Sequence, residues 1–207
     1  MTSLEKIISY FEQFPGIGGR QAKRFAFHIL TMRPGEAEEL AHLIATLKSN
    51  VVQCPSCQRF FSATRADVTL CQICSDTNRD QQKLMVVAQD SDIQAVEKSG
   101  VYDGLYFVIG GTVPLLHSED VKQLRGALLK ATIDARLSAN LSEVILGFAV
   151  NPDGENTGRY IEAIINQIDE KRRETLTISQ LGRGLSTGSE LEYADPETIK
   201  NALKNRN

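Results

Sequence analysis

The sequence predicts a multi-module α/β protein, and three observations carry that expectation. Apolar side chains recur with a helical period through residues 1–49, four cysteines fall in two close pairs, and from Leu84 onward short apolar runs alternate with amphipathic stretches. The last pattern is the signature of strand–helix–strand units and a parallel sheet. The expected order is a helical hairpin over 1–52, a four-cysteine module over 53–78, a parallel-sheet domain over 79–175 and a C-terminal segment over 176–207. That last segment is expected to pack on the sheet domain, on a neighbouring subunit, or on both. A chain of 207 residues is long enough to bury one core of middling size with small modules attached.

The hairpin comes first. Leu4, Ile7, Ile8 and Phe11 define one amphipathic helix, and Phe14-Pro15-Gly16-Ile17-Gly18-Gly19 breaks it. A second helix restarts over 20–30, with Ala22, Phe25, Ala26, Ile29 and Leu30 on its apolar side. A third is expected over 35–49, where Leu40, Leu43, Ile44 and Leu47 supply a face to pack on the first two. Three short helices make a marginal core, so the hairpin is expected to lean on a neighbouring domain or a second copy of the chain.

A Pro-Gly-Ile-Gly turn feeding a helix N-terminus presents unobstructed backbone N–H groups together with the positive end of the helix dipole, a good seat for phosphate. Between Glu12 and Glu36 there is no acidic residue, whereas Arg20, Lys23, Arg24 and Arg33 all lie in that window. The pattern resembles the helix-hairpin-helix motif, which grips nucleic-acid backbones without reading bases. Gly16, Gly18, Arg20, Lys23 and Arg24 are the candidate DNA contacts. The plainer alternative is a helix pair whose glycines permit a reversal and whose arginines are solvated.

The cysteines follow as Cys54-x2-Cys57-x13-Cys71-x2-Cys74, the spacing of a zinc ribbon. Two such knuckles complete the closed tetrahedron of a structural Zn²⁺ and leave no position for a reactive water. One Zn²⁺ per chain is expected. The alternatives are two disulfides, which need an oxidising compartment, or a thioredoxin-like redox pair. The N-terminal MTSLEKIISYFEQ does not read as a signal peptide, and no apolar run approaches the ~18 residues of a membrane span.

In the sheet domain, strands are expected at 84–88, 105–109, 143–150 and 176–181, with helices around 93–98, 119–137 and 157–168. Functional loops of such sheets lie beyond the carboxyl ends of the strands. Those loops carry Gln89-Asp90-Ser91-Asp92, Gly110-Gly111, Asn151-Pro152-Asp153-Gly154-Glu155 and Gly182-Arg183-Gly184. The net charge of −3 is unevenly spread. Residues 84–120 hold Lys98 against Asp90, Asp92, Glu97, Asp103, Glu119 and Asp120, an asymmetry that would turn DNA toward the hairpin and leave the acidic edge for a basic partner protein.

Taken in order, the 15–30 segment PGIG-x-R-x-A-x-R-x-AFHIL, the cysteine quartet, Cys74-Ser75-Asp76 followed by Arg79-Asp80, and the tail from Gly182-Arg183-Gly184-Leu185 to Leu191-Glu192-Tyr193-Ala194-Asp195 resemble the bacterial recombination mediator family RecR over essentially the whole chain. The resemblance implies a Toprim-like sheet domain in a non-enzymatic DNA-repair protein of the cytoplasm, associated with the nucleoid and assembled as a dimer or a ring-like tetramer. It also implies work with RecO and RecF to help RecA load on gapped or single-stranded DNA.

The chain departs from the pattern in three places. Val87-Ala88-Gln89 stands where a Toprim domain usually carries a glutamate, although Asp92 keeps a later acidic position. The acidic segment 151–157 is about two residues shorter than usual, and no Ser-Pro-x-x-Gly stretch follows Gly110-Gly111. A Mg²⁺-dependent Toprim enzyme of the primase, topoisomerase or nuclease class is therefore the lesser reading, because its proton-transfer carboxylate is missing; no catalytic residue is assigned. Asp92, Asp153 and Glu155 remain candidates for a partner or a weak Mg²⁺ contact. A zinc-ribbon adaptor that binds only protein is the other alternative, and the basic window counts against it.

Overall fold

The computed structural model describes residues 1–63, 67–114, 123–182, 188, 190–194 and 196–204. The chain divides into two compact units, Met1–Val51 and Val52–Asn207.

The first unit holds α1 (Ser3–Glu12), α2 (Gly19–Thr31) and α3 (Pro34–Asn50). Thr2 and Glu5 close a capping box at the start of α1: the Thr2 N–H donates to Glu5 Oε2 at 2.7 Å and the Glu5 N–H to Thr2 Oγ1 at 3.2 Å. Helices α1 and α2 pack through Phe11, whose ring meets Phe25 edge-on at 5.9 Å. Ala22 and Ala26 are buried, small enough to let the two helices approach.

Helix α3 departs from expectation. It forms over slightly more than the predicted span, with Pro34 at its first turn, but buries none of its residues. Leu43 and Ile44 remain 55% and 64% exposed. Helices α1 and α2 pack on each other, while among the described residues α3 makes no comparable contact with either, so its apolar stripe faces outward, as do Phe27 and Leu30 of α2.

Strand β1 (Val51–Gln53), whose first residue ends the first unit, pairs with β2 (Phe60–Ser62) and is followed by the single-turn α4 (Gln72–Ser75). Then come β3 (Asp80–Val87), α5 (Asp90–Ser99), β4 (Gly104–Val108), α6 (Gly126–Leu137), β5 (Glu143–Gly147), α7 (Pro152–Ile165), α8 (Glu170–Arg173) and β6 (Thr177–Gln180). A 3₁₀ turn at Leu191–Tyr193 and α9 (Pro196–Lys204) complete the second unit. The four long strands form a sheet in the order β4-β3-β5-β6, with every neighbouring pair parallel. Its register sets Met85 beside Tyr106 on one side and Ile145 on the other. The centre is apolar on both faces, as a sheet sandwiched between helices requires: Leu84, Val86, Val87, Tyr106, Phe107 and Val144 are fully buried.

Several boundaries differ from the sequence reading: β3 starts at Asp80 rather than near 84, and α5 at Asp90 rather than near 93. Strand β5 ends at Gly147 rather than near residue 150. Helix α6 starts at Gly126; of the residues expected to precede it in the helix, 119–122 lie outside the described residues. Helix α7 begins at Pro152, five residues early, because Asn151 caps it by accepting the Gly154 N–H at 2.8 Å and Pro152 fits the first helical position. A Cβ at Gly154 would overlap the Ala149 carbonyl oxygen, so the turn into α7 needs glycine there.

A charged cluster ties the cysteine module's exit to the sheet. Arg79 is ion-paired with Glu97 of α5 and donates from Nη1 to the Gly104 carbonyl at 3.1 Å, while the Tyr106 hydroxyl donates to Glu97 Oε1 at 2.6 Å. Hydrogen bonding from Arg79, with a smaller contribution from Tyr106, holds the Glu97 carboxyl below the usual carboxylate range. A depressed carboxyl stabilises the fold above its unfolded pKa of ~4.3, and that contribution disappears as pH falls through the folded value. Glu97→Gln is therefore expected to lower the urea midpoint at pH 7. Its deficit against the parent protein should narrow below about pH 4, measured by circular dichroism.

Candidate metal centre and nucleic-acid interface

The hairpin turn is built by backbone constraints. The Phe14 N–H donates to Phe11 O at 3.1 Å and the Ile17 N–H to Phe14 O at 3.0 Å, closing the end of α1. Gly16 sits at φ +76°, a left-handed conformation that strains side-chain-bearing residues. Gly18 is the N-cap of α2 and offers no side chain to cap it. Its carbonyl accepts the N–H groups of Gln21 and Ala22 at 2.9 and 3.0 Å, whereas helix geometry leaves the Gly19 and Arg20 N–H groups with no intrahelical acceptor.

Arg20, Lys23 and Arg24 are exposed on α2, and among the described residues none of them forms an ion pair. The fourth basic residue of the window, Arg33, is engaged with Glu36 at the start of α3. Glu12 adds a feature the sequence reading missed. A Cβ at Gly19 would lie 2.9 Å from Glu12 Oε1, so a carboxylate stands beside the first residue of α2. An anion docking at that helix end meets Glu12 as a competitor.

The cysteines converge from two local turns. Cys54 opens the first knuckle: its N–H donates to Arg59 O at 2.9 Å and its carbonyl accepts the Gln58 N–H at 2.8 Å, with Gln58 in a left-handed conformation at φ +64°. Cys71 caps α4, and its carbonyl accepts the Ser75 N–H at 3.0 Å. Cys54, Cys57 and Cys71 are buried, Cys74 is half-buried, and all four sulfurs lie within 4.8 Å of one another.

Cys57 Sγ and Cys71 Sγ are 3.6 Å apart, far beyond a disulfide length of ~2.05 Å. A regular tetrahedron with metal–sulfur bonds of ~2.3 Å has edges of ~3.8 Å, so the donor set and its spacing suit a structural metal ion. At this spacing the four thiols cannot all ionise without a cation among them. Cluster and sheet share one core, in which the cysteines pack with Leu84, Phe107 and Val108. The Val108 N–H donates to the Cys57 carbonyl at 2.8 Å, the Phe60 N–H to Asp90 Oδ1 at 2.7 Å, and Arg136 to Ser56 Oγ at 3.0 Å.

The acidic candidates are dispersed. Asp92 Oδ2 accepts the Gln89 N–H at 2.8 Å and so caps α5. Asp153 and Glu155 lie in the first turn of α7 rather than in a loop. The Asp153 carbonyl accepts the Thr157 hydroxyl at 2.6 Å, and that hydroxyl oxygen accepts the Val113 N–H at 2.8 Å, locking the stretch after Gly110-Gly111 to α7. Among the described residues, the cysteine quartet is the one group of three or more His, Cys, Asp or Glu side chains with ligand atoms in mutual reach. Ala88 leaves the end of β3 without a carboxylate of its own. Arg183 and Gly184 lie outside the described residues.

Comparison with known proteins decides the family. Residues 4–48 match the family model described as RecR, helix-hairpin-helix, and residues 184–207 the model described as RecR, C-terminal. Over 205 residues the chain is 31% identical to the Recombination protein RecR of Chlorobium phaeobacteroides (strain BS1), covering 99% of this chain and 96% of that protein. The chain belongs to the RecR family. The RecR proteins of Lactobacillus helveticus (strain DPC 4571) and of Clostridium perfringens (strain 13 / Type A) are each 34% identical, over 202 and 206 residues, covering 97% and 99% of this chain and 94% and 96% of theirs. The helix-hairpin-helix, the cysteine module and the Toprim-like parallel sheet are thus the parts of a RecR-family protein of recombination repair. Among the described residues, no helix is long and apolar enough to cross a membrane.

Proposed function

We propose that the chain is a non-enzymatic recombination mediator. In this reading the hairpin grips DNA phosphates through the α2 N-terminus at Gly16 and Gly18 and through Arg20, Lys23 and Arg24, while the four cysteines hold one structural Zn²⁺. The observation that carries it is the pairing of an uncapped, glycine-flanked helix end with three exposed basic side chains. Such a surface holds a backbone and reads no bases. The family resemblance extends the reading to RecO and RecF as partners, with RecA loading on gapped or single-stranded DNA in the cytoplasm as the outcome. The acidic segments carrying Asp92, Asp153 and Glu155 are then docking edges for a basic partner.

Self-association is supported by the uncovered apolar faces of α2 and α3, where Leu30, Leu43, Ile44 and Leu47 are exposed. Surfaces of this kind are ordinarily covered by an interface. Dimer or ring-like tetramer is the expected assembly, and a monomer by light scattering would remove this part of the reading. Absence of chemistry is supported by Ala88. Toprim enzymes need a glutamate for proton transfer at that place and clustered carboxylates for Mg²⁺, and here the acidic residues cap or open helices instead.

Cys57→Ser is expected to release the metal and lower the melting temperature by on the order of 10 °C, because binding free energy at such a site is folding free energy. Metal analysis and calorimetry measure both. Two disulfides per chain and no zinc, in protein prepared without reductant but with metal present, would sink the zinc assignment.

Replacing Arg20 and Arg24 by Ala should weaken DNA binding about equally across sequences. The slope of log K against log salt should fall by ~0.9 per lost duplex contact in each chain. Unchanged affinity and slope, with metal content and assembly size intact, would place the DNA surface elsewhere. With Mg²⁺ or Mn²⁺, plasmid, primed and nicked DNA should emerge uncut, unrelaxed and unextended. Turnover abolished by Asp153→Ala would make the chain an enzyme after all.

A further inference from the structure

The carboxyl ends of β3 and β4 open into a pocket that neither the hairpin nor the metal centre explains. Phe60, Ala88, Gln89, Asp90, Val108 and Arg125 are among the residues lining a shallow space of about 410 Å³, within the range of small-ligand sites. It lies on the edge of the sheet where parallel α/β folds place their ligands.

Arg125 is the cation of this pocket, and its position is fixed from two directions. Its backbone N–H donates to Ile109 O at 2.9 Å and its Nη1 to Val108 O at 3.0 Å. The guanidinium carbon lies 6.0 Å from the centroid of the Phe60 ring. A guanidinium carries five N–H donors, and among the described residues no carboxylate forms an ion pair with this one. Phe60 is 51% exposed although its backbone is pinned by the Asp90 carboxylate at 2.7 Å. Asp90 keeps its negative charge, with Oδ1 bonded to the Phe60 N–H, and Ala88 adds none. The wall therefore presents a held guanidinium beside a solvent-facing aromatic ring on a pinned backbone.

We infer that this pocket binds one nucleotide unit of a single-stranded nucleic acid, with the phosphate on Arg125 and the base against Phe60. Aromatic rings beside cations are the means by which strands are held without regard to sequence, and a base in a duplex has both faces already stacked. An acidic protein segment would use Arg125 and leave the ring idle. Free phosphate or a mononucleotide carries the same anionic group, so the source is settled by experiment. The inference rests on the DNA-binding reading and extends it to a second, base-contacting site measured apart from the hairpin; at the 89–92 edge it competes with the docking of a basic partner.

The chain has no tryptophan, so Phe60→Trp places a unique fluorophore in the pocket. Oligo(dT) is expected to quench it, and a blunt duplex of equal length to quench it little. Adding Arg125→Gln should weaken the titration about fivefold or more and lower the salt slope by ~0.7. With Arg20 and Arg24 replaced by Ala, quenching should persist at higher oligonucleotide concentration, which separates failure of the hairpin reading from failure of this one. Phe60→Leu, read by anisotropy of labelled oligo(dT), should lose affinity with its melting temperature and metal content preserved. Unchanged affinity in Phe60→Leu, or no quenching at concentrations that saturate anisotropy, overturns the inference. So does quenching by polyglutamate instead of oligo(dT), which would assign the pocket to a protein partner, or by dTMP or inorganic phosphate as strongly as by the oligonucleotide, which would assign it to a free anion.

Discussion

Four sulfurs within 4.8 Å of one another, three of them buried, set the constraint on which the second unit depends. Thiolates at that separation repel, and neutral thiols are poor hydrogen-bonding partners; a cation resolves both difficulties at once. Because the cysteines pack into the same core as β3 and β4, the solution is not confined to a surface knob. The bond from the Val108 N–H to the Cys57 carbonyl carries the geometry of the first knuckle directly into the end of a sheet strand. Around it, the Asp90–Phe60 and Arg136–Ser56 contacts tie the module to α5 and α6.

That arrangement changes the meaning of the acidic residues at the carboxyl edge. In a Toprim-like enzyme they would be gathered around a metal. Here Asp92 closes a capping box, Asp90 holds a strand of the cysteine module, and Asp153 and Glu155 occupy the favourable first turn of α7. Carboxylates thus do architectural work where the fold permits chemistry, and the local charge is set as much by Arg125 as by them. The two ends of the chain's charge pattern are correspondingly different in kind: solvated cations on α2, engaged anions along the sheet.

Much of this was legible in the residues themselves. The cysteine spacing, the glycine turn and the alternation of strands with helices are local signals, and each of the corresponding elements forms. Asn151-Pro152 is equally legible as a cap and first turn, but the segment lies beyond the carboxyl end of a strand, where a loop is expected, and so reads as one. What spacing could not show was pairing across distance. Arg79 with Glu97, Asp90 with the Phe60 N–H, and Arg125 over Phe60 join residues 18, 30 and 65 positions apart, and the last carries no local signature at all. The helical period of α3 was read correctly, but its destination was not, since periodicity reports a buried face without naming what covers it.

The cysteine module also bears on the order of assembly. Parallel strands are slow to form, because each pairing closes a long loop before any contact rewards it. The four sulfurs, by contrast, are brought together within a short stretch of chain, through two turns whose hydrogen bonds are local. A metal captured there early leaves the Cys57 carbonyl as a fixed acceptor awaiting a single donor from β4. If metal binds there first, the search for the register of the first parallel pair begins from a tethered point rather than from an open chain, and metal would then bear on how fast the sheet forms as well as on how firmly it holds.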